Sequence, residues 1–180
     1  MTANQETEAA RQALRDASMS LDVAEAGGEP AILSQALATV GDCHRRLGAL
    51  AEAVWYLEHG LQLARCLSSV DASVDALCAL GELAAQWAEH QAQQRDDSDD
   101  SRDVHRLRDS ARDHGFEAAR LALRSADPQW EITVLLRVSD LFDSLGDHDD
   151  AIALQCRAVE LMTCTACGGN EVAGVRTLAA

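Results

Sequence analysis

The chain contains no lysine: its basic residues are 15 arginines, set against 30 acidic residues, for a formal charge of −15. A field of that sign repels phosphate, which argues against nucleic acid or an anionic membrane as partner and favours a basic protein segment. Aromatic residues make up only 3% of the chain and prolines number 2. With so little proline most of the backbone is free to be helical, and the apolar mass lies in alanine and leucine, which suit closely packed helices better than β-branched strands. No apolar run is long enough to span a bilayer. The stretch from Met1 to Ala10 is polar and acidic, without the basic start and apolar centre of a secretory signal. The expected location is cytoplasmic, with the 6 scattered cysteines as reduced thiols. A length of 180 residues accommodates one domain or a short repeat array.

What is present is a repeat. Ala13 and Ala53 are 40 residues apart, as are Gly41 and Gly81, and Ala111 and Ala151. Ala111 follows Ala53, and Ser139 follows Gly81, by 58, so one unit carries an 18-residue insertion. Leu37, Leu77 and Leu135 share this register, as do Val40, Leu80 and Val138, and Leu47, Trp87 and Leu145. Farther along each unit, Ser20, Gly60, Ala118 and Ala158 correspond, followed by Leu21, Leu61, Ala119 and Val159. Pro30 and Pro128 obey the same spacing, each at the expected first turn of a helix. Small residues at fixed points let antiparallel helices approach, the Leu and Val positions fill the seam, and hairpins that cannot bury their faces alone must stack.

The run Val40-Gly41, Leu47-Gly48, Ala53, Leu57, Gly60 and Leu61 resembles the tetratricopeptide signature. Ser139, Leu145-Gly146-Asp147, Ala151, Ala158 and Val159 repeat it, with Ser for the first Gly. The middle unit keeps Leu80-Gly81 and loses the tight turn. The usual repeat is about 34 residues, so a longer period implies longer helices. The resemblance, over residues 8 to 165, implies an all-α, right-handed superhelical array of antiparallel hairpins, an α-solenoid of about seven helices. A single domain is expected over 1–164. It comprises a capping helix at 5–26, stopped by Gly27-Gly28, then hairpins at 30–67, 71–126 and 128–164, and a flexible tail at 165–180.

Chemistry could sit in two places. The acidic insertion near 91–103 offers carboxylates to a hard cation but lacks the glycine and terminal glutamate of a helix–loop–helix calcium site, so a solvated loop is the simpler reading. Arg102, Arg106, Arg108 and Arg112, alternating with Asp103, Asp109 and Asp113, read as an exposed helix face laced with ion pairs. Cys164 and Cys167 form a C-x-x-C that could be half a zinc site, with Cys156 or His148, or a redox pair; no second such motif and no preceding strand accompany it. His44 shares a register with Ala84 and Phe142 and reads as a packed residue. No nucleophile–base constellation or phosphate loop is present, so no enzyme, cofactor or metal is expected.

In the family it resembles, the first helix of each hairpin lines a concave groove. The groove-facing position one residue after the small residue is held here by Asp42, Glu82 and Asp140, followed by Arg45, Ala85 and Asp143. On the preceding turn come Gln35, Asp75 and Thr133, beside Ala38, Cys78 and Leu136. The resemblance therefore implies an acidic groove with an apolar floor that binds a basic or amphipathic segment of another protein. An adaptor or regulatory scaffold is the leading expectation. The alternatives are a chaperone of the bacterial secretion type and a thiol or zinc protein acting through Cys164 and Cys167. Ile152, Val159, Leu161 and Met162 on the last hairpin are a candidate contact for a second copy.

Overall fold

The computed structural model describes residues 3–93 and 101–171, with the backbone alone for residues 3, 4, 6, 101 and 165–171. The described residues form seven helices and no strand: α1 (Ala3–Gly27), α2 (Pro30–Arg46), α3 (Leu50–Cys66), α4 (Val70–Gln93), α5 (Ser101–Ala122), α6 (Pro128–Leu145) and α7 (His148–Glu171). The chain divides into two compact units, Met1–Ala118 and Ala119–Ala180. The central part of the acidic insertion, 94–100, and the end of the expected tail, 172–180, lie outside the described residues.

Punctuation explains the helix ends. Pro30 and Pro128 both stand at the first turn, where the missing N–H has no intrahelical partner to lose. Ahead of α6, Asp127 accepts hydrogen bonds from the backbone N–H groups of Gln129 and Trp130, a cap that Glu29 does not provide for α2. At the two tight turns Gly48 and Gly146 adopt φ of 76° and 84°, a conformation that costs an L-residue about 1–2 kcal/mol. The N–H of Ala49 then bonds to the carbonyl of His44, and that of Asp147 to that of Phe142, closing the last turn of each helix. Ser68, with φ of 55°, closes α3 the same way through Ser69 N–H and Ala64 C=O.

In the first unit α2 packs on α1 and α3, α3 packs on α4, and α2 also reaches α4. The α2–α3 seam is close because it holds glycine. A Cβ on Gly41 would stand 2.7 Å from Leu57 Cγ, and one on Gly60 would stand 3.2 Å from the Ser34 carbonyl oxygen. Ser34, itself buried, donates from Oγ to the Gly60 carbonyl at 3.0 Å, so the polar group at this contact is satisfied. In the second unit α6 packs on α7.

Burial follows the repeat register. Ala53, Ala111 and Ala151 have no exposed surface, and Leu77 and Leu135 have none, with Leu37 nearly as covered. Val40, Leu80 and Val138 are buried, as are Gly41, Gly81 and Ser139. The chain is thus a repeat-like helical array within each unit. Two ends differ from expectation. α5 stops at Ala122, and tighter turns at Arg124 and Ser125 lead into the Asp127 cap. The backbone of α7 runs past 164 to Glu171.

Candidate functional site

The register positions singled out on α2 and α4 come together, but not as a row of free acids. The Arg45 guanidinium takes Asp42 Oδ1 at 2.6 Å and reaches across to Glu82 Oε2 at 3.1 Å. Residues 42 and 45 are neighbours one turn apart on α2, and the α2–α4 contact brings Glu82 within reach. All three side chains are partly buried, which limits screening, and with two carboxylates around one guanidinium the cluster keeps a formal charge of −1. Gln35 and Asp75 are exposed on the preceding turn. The expected floor is only partly available, since Ala38 is half-buried and Cys78 is buried in the core.

Asp140, Asp143 and Leu136 lie on α6 in the second unit, and all three are exposed. Asp143 is engaged on its own side, Oδ1 lying 3.0 Å from His148 Nδ1 and Oδ2 accepting from Gln155 Nε2 at 3.4 Å.

The thiols separate by exposure. Cys43 and Cys78 are buried, whereas Cys66, Cys156 and Cys164 are exposed. Burial pushes the Cys43 thiol above its ordinary pKa, Asp42 adds to the rise and Arg46 opposes it, so this sulfur is a packing group. The side chain of Cys167 lies outside the described residues. Among the described residues no three His, Cys, Asp or Glu side chains gather in a metal-holding arrangement, and no helix is long and apolar enough to cross a membrane. Two ion pairs run along α5, Arg106 with Asp103 and Arg112 with Asp109, as its alternating charge suggests. His44 is half-buried and stacked on Tyr56 at 5.3 Å.

Sequence reasoning missed a second feature of the first unit, a cleft of about 580 Å³ between α3, α4 and α5, lined by Glu58, Leu61, Gln62, Arg65, Leu80 and His114. At its edge both Nη2 contacts of Arg65 with the Glu117 carboxylate are 2.8 Å. The signal was available, because His114 shares a register with Tyr56 and Leu154, positions that face inward. Burial holds its pKa below the ordinary imidazole value; Glu117 and Asp113 oppose the shift, Arg65 reinforces it and Glu58 opposes it. A depressed imidazole binds its proton more readily in the unfolded chain, so its contribution is present above the unfolded pKa of about 6.5 and is lost as pH falls through the folded value. The stability of the first unit should therefore decline with acidification below about pH 6.5, and urea titrations of His114→Gln should show a flatter profile over that window.

The chain matches no protein-family model and no curated protein sequence.

Proposed function

We propose that the chain is a protein-interaction module of the tetratricopeptide type that holds a basic or amphipathic segment of another protein on the α2–α4 face. The observation that carries this reading is the Asp42–Arg45–Glu82 cluster, in which two acids from neighbouring helices already converge on one guanidinium. A site that holds an internal guanidinium between two partly desolvated carboxylates has the geometry to hold one from a partner. The exposed Gln35 and Asp75 extend the polar surface along the same helices. The overall charge of −15 attracts such a segment from a distance. Asp140, Asp143 and Leu136 supply an acidic surface with an apolar edge in the second unit.

Anisotropy of a labelled Arg-rich peptide tests this. Asp42→Ser with Glu82→Ser should weaken binding about tenfold, whereas Asp149→Ser with Asp150→Ser, which removes the same charge elsewhere, should have little effect. Arg45→Gln should strengthen binding, because the peptide no longer competes with an internal cation. Equal losses in both double variants would reduce the attraction to net charge and sink the reading.

A further inference from the structure

A different surface of the first unit is open and apolar. Between α1 and α2 runs a groove of about 610 Å³, floored by Met19, Val23, Ala24 and Ile32 and edged by Asp16 and Glu29. Met19, Val23 and Ile32 are 67%, 72% and 50% exposed, an apolar concentration that water does not favour.

The repeat register identifies the shape that fits there. Ser20, which also lines the groove, is the counterpart of Gly60, Ala118 and Ala158. Those three are buried, and Gly60 is in contact with the backbone of α2, the first helix of its own hairpin. Ser20 is exposed. Val23 is the counterpart of Leu63, Leu121 and Leu161, each half-buried where Val23 stands open. Ala13 likewise is only half-buried, although Ala53, Ala111 and Ala151 are wholly covered. α1 therefore presents to solvent a face whose counterparts on the other second helices are covered. The other face of α1 is satisfied, since Ala17 and Leu21 pack with Leu37, Val40 and Cys43 of α2.

Charge narrows the occupant. The charged lining residues, Asp16 and Glu29, are both acids, and neither forms an ion pair among the described residues. A second copy of a chain with formal charge −15 brings mainly acids to that rim. We infer that the α1–α2 groove receives an amphipathic helix of a partner protein, its aliphatic stripe on Met19, Val23 and Ile32 and its Arg or Lys flanks toward Asp16 and Glu29. This site is separate from the α2–α4 face and stands whether or not that face binds.

The probe is a labelled synthetic helix as long as α2, 17 residues, with leucines one turn apart and arginine flanks, compared with a twin whose flanks are glutamate. Titrated with the full chain, the arginine peptide should bind at least about tenfold tighter than its twin. Val23→Asp and Ile32→Asp should each weaken it about tenfold; the added acid favours a basic peptide, so a loss reads the apolar contact. Both residues are exposed, and unchanged circular dichroism would confirm that the fold survives. Asp42→Ser with Glu82→Ser should leave this binding intact. Three results would overturn the inference: equal binding of the two peptides, no change on Val23→Asp, or a wild-type dimer in sedimentation that Val23→Asp makes monomeric. The last would assign the groove to a second copy.

Discussion

Gly41→Val should destabilise the first unit by about 2–3 kcal/mol, the upper part of the range for overpacking a close helix seam. Any Cβ at this position meets Leu57 Cγ at 2.7 Å, Leu57 Cδ2 at 2.9 Å and the Leu57 backbone nitrogen at 3.2 Å. Leu57 has no exposed surface, so its side chain has nowhere to retreat, and α2 must move off α3 or rotamers must strain. Gly41→Ala should fall between wild type and Val, because about 1 kcal/mol of helix propensity is recovered when glycine is replaced. Leu57→Ala alone opens a cavity and costs about 3 kcal/mol. Combined with Gly41→Val, however, it removes the atoms that clash, so the double variant should be more stable than the sum of the two losses by about 1–2 kcal/mol. Urea unfolding read by tryptophan fluorescence in a Trp130→Phe background would isolate Trp55 and Trp87, both in the first unit. Strict additivity would show that the helices can separate freely and that glycine at 41 is incidental.

That seam was largely legible in the sequence. On α2 and α3 the forty-residue spacing marks Leu37, Val40, Gly41, Ala53, Gly60 and Leu61, all of them buried, and the two prolines mark helix starts. Ser139 shows why the small position was recognisable despite substitution: it is wholly buried, and its hydroxyl turns back to donate to the Leu136 carbonyl at 2.8 Å. Helix ends were harder. At the end of α5 the competition between one more helical turn and the Ser125–Asp127 arrangement is settled by local hydrogen bonds that composition does not display. In α7 Gly168 and Gly169 lie within the helix, and a glycine there costs only about 1 kcal/mol.

The candidate site was legible by position and not by pairing. Register places Asp42 and Glu82 on equivalent turns, but only the approach of α2 to α4 lets Arg45 span both. The α1–α2 groove was hidden for the opposite reason. Val23 fits the apolar register as well as Leu63 does, and nothing in the letters distinguishes a covered position from an open one. Exposure of an otherwise ordinary register residue is a tertiary fact.

Arg157→Ala should cost the second unit about 2–3 kcal/mol, well beyond the value of an ordinary surface ion pair. Its partner Glu131 is only 5% exposed, and Arg157 Nε approaches Glu131 Oε1 at 3.2 Å from α7 to α6. The arginine is itself 46% exposed at the side chain, which places the loss below the 3–5 kcal/mol expected of fully buried pairs. Most of the cost is the carboxylate left in a dry seam, not the attraction removed. Glu131 occupies the register of Leu33 and Ser73, so the fold accepts an apolar or small neutral side chain at this point. Glu131→Leu should therefore rescue Arg157→Ala, returning the double variant to within about 1 kcal/mol of wild type. Trp130, adjacent to the buried acid, provides the fluorescence readout in a Trp55→Phe, Trp87→Phe background. If the double variant is no more stable than Arg157→Ala alone, the loss lies in the packing of the arginine stem across α6 and α7. If rescue occurs, the ion pair is a replaceable solution to burying one acid, and the stability of that hairpin rests on Leu135, Val138 and Phe142 beneath it.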